Sequence, residues 1–256
     1  MIIRKQGAGI LLLIALAALC FGCKELSDKP PDTIRLDPEK DTAALWHFEE
    51  GYALPADSSP NGNNASQISA KWAGSGYGRY MVFSGNGDFM EVPHSDSLNF
   101  DKKKDITIEA WVYPGKYVEH GTVVSKQGQY VFQVHSDGRP AFYLYGVTDQ
   151  SGPDYVFANG TVPLGKWTHV AVTYDGNYIK LYINGEQDNV ISVKGAIHAL
   201  LINENGRLKS MEKCALRIGG DETSPGRSWN GFIDEVRICT RARQDYEIHE
   251  DYKRGR

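Results

Sequence analysis

The chain has 256 residues, a formal net charge of −4 and 23% charged side chains. With no basic block, that balance excludes the electrostatic footprint of a nucleic-acid-binding protein. Aromatic residues make up 11%, a content suited to strands and to surfaces that stack on flat apolar ligand faces.

Residues 1–22 read as an export signal. Arg4 and Lys5 precede "GILLLIALAAL", an apolar run too short to span a bilayer comfortably. "LCFGC" ends the run. Cleavage before Cys23 leaves the small Gly22 at the preceding position, whereas cleavage before Cys20 leaves the bulky Leu19. The segment resembles a bacterial lipoprotein signal with Cys23 as the lipid-bearing residue, although Cys20 stands where Leu is usual. A plain secretory signal and a short membrane anchor are the alternatives. All three export the rest of the chain, and the lipid would hold it at the outer membrane or cell surface.

Residues 23–40 continue as "KELSDKPPDTIRLDPEK", polar and interrupted by Pro30, Pro31 and Pro38. This composition predicts an extended tether. From Asp41 onward there is enough chain to bury a substantial core.

The elements of residues 41–250 alternate in the two-residue period of strands. "TAALWHFEE" is the first, followed by a turn-rich loop, "PADSSPNGNNAS". "RYMVFSGNGDFMEVP" reads as two strands around a tight turn at "SGNG". "DITIEAWVYP" sets Ile106, Ile108, Ala110 and Val112 against Thr107, Glu109, Trp111 and Tyr113. "HGTVVSKQGQYVFQVHSDGRPAFYLYGV" is a three-strand meander, and "GKWTHVAVTYDGNYIKLYINGEQ" adds two more strands. "IHALLINENGRLKSMEK" interrupts the rhythm as an insertion before "CALRIGG" and "WNGFIDEVRIC", which read as a final pair. Helical periodicity appears only in "RARQDYEIHEDYKR". The pattern predicts an all-β fold, a two-sheet antiparallel sandwich with a short C-terminal helix.

Two features of the final pair raise chemical questions. Cys214 and Cys239 are an even pair in an exported chain, and antiparallel pairing would bring them within a residue or two of register, so a disulfide is expected. Strict alternation puts Phe232, Asp234, Val236 and Ile238 on one face, apolar except for Asp234. A buried unpartnered carboxylate costs several kcal/mol, so Asp234 needs donors, a proton or a cation.

Together these segments resemble the laminin G-like jelly roll of the concanavalin A-like lectin and glucanase group. The markers are "LWHFEEG", "ADSSPNGNNA", "MVFSGNGDFMEVP", "ITIEAWVYP", "GKWTHVAVTYDGNYIKLYINGE", "LRIGGDE" and "WNGFIDEVRI". The departures are the insertion at about 197–213 and Pro60, where the family usually has Gly.

The resemblance implies a structural calcium at the sandwich edge, held by the positions matching Glu49, Asn63 and Asp234. Calcium takes hard oxygen ligands in flexible geometry. Asp57 and Asp88 read instead as turn caps. The fold hosts lectins, adhesion modules and glycan hydrolases, so it does not fix one function. Laminarinase-type relatives place their carboxylates on one strand as E-x-D-x-x-E, and this chain has no such match. Glu109 stands alone and reads as a solvated sheet-face residue. His47 and His169 read as packing residues.

What remains is recognition. Sugar sites on such sandwiches use exposed aromatics beside amides and carboxylates. The candidates are Trp72, Tyr77, Tyr80, Tyr117 and Tyr155, each in or beside a glycine-rich loop. Trp111, Trp167 and Trp229 hold framework positions and are expected to pack. The expectation is a non-catalytic module binding carbohydrate or a partner protein at a bacterial surface. A divergent glycan hydrolase or lyase, and a structural subunit of a surface complex, are the alternatives.

Overall fold

The computed structural model describes residues 35–75, 78–147, 155–204, 207–222 and 224–254. The signal segment, Cys23, most of the tether and Tyr77 lie outside the described residues.

The strands open with β1 (Thr42–Trp46), β2 (Gln67–Ile68), β3 (Lys71–Ser75), β4 (Gly78–Ser84), β5 (Met90–Val92) and β6 (Ile106–Pro114). β7 (Gly121–Lys126), β8 (Tyr130–Val134), β9 (Pro140–Leu144) and β10 (Val156–Phe157) follow. Then come β11 (Thr168–Tyr174), β12 (Tyr178–Ile183), β13 (Glu186–Ser192), β14 (Leu201–Glu204) and β15 (Arg207–Ser210). β16 (Leu216–Ile218), β17 (Asn230–Cys239) and the helix α1 (Asp245–Arg254) end the chain.

They assemble as two antiparallel sheets. One runs β13-β12-β11-β6-β17-β4-β3, with β1 also paired to β17. The other runs β10-β9-β8-β7-β16-β5-β2. Alternate side chains from both sheets meet between them, among them Trp46, Ile108, Phe132, Phe142, Val172, Leu216 and Ile233. Each such side chain contributes about 1.5–3 kcal/mol on burial. β14 and β15 form a separate two-stranded hairpin from the inserted segment. This is the sandwich with a C-terminal helix that the pattern predicts.

Two expected hairpins do not form. β4 and β5, on either side of "SGNG", belong to opposite sheets, and the Asp88 carboxylate accepts the Ser84 N–H at 2.6 Å to hold that crossing turn. β16 and β17 are also in opposite sheets. The Cys214–Cys239 disulfide is therefore corrected: the two sulfurs are not joined. Cys239 lies opposite Thr107 and Thr42 in one sheet, while the Cys214 Sγ lies 3.8 Å from Met211 Sδ beside the other.

The faces of β17 also differ from strict alternation. Asp234 sits opposite Trp111, but the next register partners are Arg237 and Glu109, so β17 carries one extra residue. That residue lies at a β-bulge, where Glu235 adopts φ +48°. Ile233, Val236 and Ile238 face the core, while Phe232 and Asp234 lie on the opposite side. The bulge thus removes Asp234 from the apolar face. The same point marks where β17 exchanges β4 for β1 as its neighbour.

The outer side of β6 and β17 is covered by α1. There Glu109, far from being solvated, is wholly buried against Arg237. Asp251 of α1 completes the pair and also binds Arg243, which reaches Glu39 at 3.0 Å. The end of the expected tether is part of this packing. Leu36 is buried, and its N–H donates to Glu235 at 3.2 Å.

Candidate functional site

The outer face of β7 to β10 gathers a run of aromatic rings flanked by buried amide oxygens. Tyr130, Phe132 and Val134 of β8 point into the core, so Gln133 points out. Phe142 and Leu144 of β9 do the same, which turns Tyr143 and Tyr145 outward. Val156 faces in, and its neighbours Tyr155 and Phe157 face out.

These rings form a continuous belt. Tyr145 and Tyr143 are 4.5 Å apart between centroids, Tyr143 and Tyr155 4.9 Å, and Tyr155 and His120 5.6 Å. His135 extends it, 4.9 Å from His120 and 5.6 Å from Phe157. Every ring is half-buried, so one edge or face of each meets solvent.

An amide stands at each end. Gln127 Nε2 donates to the Tyr145 hydroxyl at 3.3 Å, and Gln133 Nε2 lies 3.0 Å from His120 Nδ1. The Oε1 atoms of both glutamines are buried and accept no hydrogen bond among the described residues. Buried amide oxygens normally have a donor, so these two are unsatisfied acceptors at the ends of the belt.

The arginines along the belt are matched by aspartates, and Glu119 adds a carboxylate 3.9 Å from His120 Nε2. Arg139 lies over the Phe157 ring at 4.7 Å, and its Nε meets Asp137 at 2.7 Å. From the loop between β16 and β17, Arg227 lies 3.8 Å from Asp221. Burial, aided by Arg227 and His135, lowers the His120 pKa and keeps the imidazole neutral. Burial and the nearby Tyr155, Asp221 and Tyr143 push the Tyr145 hydroxyl up to about 12, so it remains a donor.

Of the five aromatic candidates, Tyr155 joins this belt. Tyr80 lies on the other sheet, in a cluster with Phe232 at 4.8 Å and Trp167 at 5.5 Å. Trp167 packs as expected, in this half-exposed cluster and against the buried Trp111 and Tyr252. Trp72 packs against the core beside Phe48, at 6.5 Å. The Tyr117 hydroxyl donates to the Val162 carbonyl at 2.6 Å, so its polar end is engaged. Tyr143, Tyr145, Gln133 and His120 were not singled out by the sequence. The usable signal was "FYLY", where tyrosines two apart alternate with core-facing Phe142 and Leu144.

Two of the expected metal residues, Glu49 and Asp234, lie near one another. Glu49 lies close enough to Asp234 to raise its pKa. Burial is the larger cause there and raises Glu49 too, and Glu235 adds to it at Asp234. The Asp234 carboxylate accepts the Glu235 N–H at 2.9 Å. Two such carboxylates fit calcium's demand for hard oxygen donors. Asn63 is engaged elsewhere, its amide nitrogen donating to the Ala43 carbonyl at 2.8 Å and to Ser97 at 2.9 Å. Among the described residues no three His, Cys, Asp or Glu side chains converge as a metal site would. Beside the pair, Glu235 lies 2.8 Å from His47 Nδ1, and burial lowers the His47 pKa to about 4. Asp57 caps its turn as expected, accepting the N–H groups of Leu45, Ser59 and Asn63.

A two-sheet jelly roll with a polar-aromatic outer face defines a lectin-like sandwich. The chain belongs to the concanavalin A-like lectin/glucanases superfamily, whose laminin G family model matches residues 84–249. Human pappalysin-1 (Homo sapiens) is 25% identical over 192 residues, covering 68% of this chain and 11% of pappalysin-1. Domain 4 of AbnA, a GH43 extracellular arabinanase from Geobacillus stearothermophilus, was solved in complex with arabinotriose. It superposes with a TM-score of 0.62 at 19% identity, over 83% of this chain and 98% of that domain. The binding domain of botulinum neurotoxin DC in complex with SialylT gives a TM-score of 0.59 at 13% identity, over 85% of this chain and 52% of its own. At these identities the two structures share the fold with this chain.

Proposed function

We propose that this protein is a non-catalytic carbohydrate-recognition module, and that the belt on β7 to β10 is its binding face. The observation that carries this reading is the pairing of a continuous ring surface with two buried, unsatisfied amide oxygens. Rings stack on the apolar faces of sugars, and amide oxygens accept from their hydroxyls. Glycoside hydrolysis needs two carboxyl groups flanking the scissile bond. Of the carboxylates beside the belt, Asp137 and Asp221 each face an arginine, and Glu119 lies 3.9 Å from His120 Nε2. The arabinotriose and SialylT complexes of the two related folds are consistent with glycan recognition.

In this reading the module is displayed on a bacterial surface through lipid on Cys23. A calcium ion held by Glu49 and Asp234 would neutralise their repulsion and brace the bulge of β17. It would serve the scaffold and stand apart from the belt.

A glycan array, run with and without calcium, tests the proposal. Retention of a glycan by the protein, lost in Tyr143→Ala, is the expected result. Release of reducing ends or unsaturated products would overturn the non-catalytic reading. Retention of a surface protein alone would replace the glycan with a protein partner. Labelling with a radioactive fatty acid, lost in Cys23→Ala, tests the anchor.

A further inference from the structure

Resting on that reading of the belt, we infer that its ligand is an uncharged oligosaccharide bound along several consecutive units. Length is the first argument. Tyr145, Tyr143, Tyr155 and His120 follow one another in steps of 4.5, 4.9 and 5.6 Å, with an amide at each end. A single sugar ring cannot reach both amides while stacking on the rings between them. A chain can, gaining a stacking contact with each unit.

Charge is the second argument. The oxygens that lack a donor belong to Gln127 and Gln133, and Gln133 is wholly buried. A hydroxyl satisfies such an oxygen because it can donate. A sugar carboxylate is an acceptor only, so an acidic unit offers one donor fewer and must use its remaining hydroxyls to reach such an oxygen. The two arginines beside the belt are already matched, Arg139 by Asp137 and Arg227 by Asp221. An anionic sugar would therefore compete with two aspartates for its counter-charge. The neutral His120 imidazole and the protonated Tyr145 hydroxyl suit a ligand held by hydroxyl networks.

The test is calorimetric titration of the full chain. The probes are arabino- and gluco-oligosaccharides of one to four units, and galacturonic acid oligomers of the same lengths. In at least one neutral series, affinity should rise about tenfold from the single unit to three units, as added stacking contacts imply. Galacturonic oligomers of equal length should bind about tenfold or more weakly. Tyr143→Ala should abolish the length dependence, with Tyr145→Ala as the second variant if the first lacks a cooperative melt. Equal or tighter binding of the acidic oligomers, still dependent on Tyr143, would overturn the inference and leave the glycan reading standing. Binding that does not grow beyond one unit would overturn it as well. No Tyr143-dependent binding of any probe would overturn both.

Discussion

Arg237 and Glu109, from adjacent strands, form an ion pair buried beneath the C-terminal helix, with Arg237 Nε 2.6 Å from Glu109 Oε1. Burial alone would raise the Glu109 pKa, but Arg237 and His169 hold it down to about 2. The pair fixes the outer side of the sheet, since Asp251 of the helix binds the same guanidinium. Removing one partner leaves a buried charge uncompensated. Glu109→Gln should destabilise the fold by about 3 kcal/mol in urea unfolding. Replacing both by apolar residues, Glu109→Leu with Arg237→Met, should cost less than Glu109→Gln. An additive double variant would refute a buried pair.

Asp234 offers a pH test with a defined sign. Burial and the nearby Glu235 raise its pKa above the ordinary 3.8, so the folded state holds this proton more tightly than the unfolded state. Stability from this group is fully present below about 3.8 and falls as pH rises through the folded value. In chelator, Asp234→Asn should therefore exceed the wild type in stability at neutral pH, with the gap closing below pH 3.8. Excess calcium should reverse that order. It should raise the melting temperature of the wild type by mass action, but not that of Asp234→Asn or Glu49→Gln. A calcium shift preserved in both variants would place the cation elsewhere.

The two domain cysteines differ in reactivity. Cys239 is wholly buried, and burial pushes its thiol up to about 12. Cys214 is partly exposed. Alkylation of the native protein should label Cys214 and spare Cys239, and both should react after unfolding. Reductant should leave the melting temperature unchanged. A peptide linking the two cysteines in a non-reducing digest would contradict this arrangement.

The two aromatic clusters should separate in binding experiments. Tyr143→Ala removes the middle of the belt, and it should lower glycan affinity about tenfold. Tyr80→Ala acts on the opposite sheet, where Phe232 and Tyr113 pack together at 4.8 Å. Its effect should fall on stability, with the affinity of the folded fraction unchanged. Loss of affinity in Tyr80→Ala alone would move the binding face to the other sheet.

Individual strands were readable because alternation is local. "ITIEAWVYP" became β6, with Ile106, Ile108, Ala110 and Val112 inward as expected, and "THVAVTY" became β11. Their assignment to sheets was less readable, because a short turn does not reveal whether it closes a hairpin or crosses the sandwich. That ambiguity misplaced β4 with β5, and with β16 and β17 it produced the disulfide. The proposed binding face was only partly legible. Tyr155 could be flagged from its loop, but its neighbours Tyr143 and His120 come from β9 and the turn before β7.

By itself, then, the sequence determined an all-β chain of the laminin G-like kind, because hydrophobic period and turn residues act over a few positions. Only the tertiary structure decided the environment of the charged groups. The bulge at Glu235 turned Asp234 away from the core, and α1 folded over Glu109. The belt likewise needed three strands and a loop to meet. A side chain's solvation and partners depend on segments far away in the chain, and alternation carries no information about them.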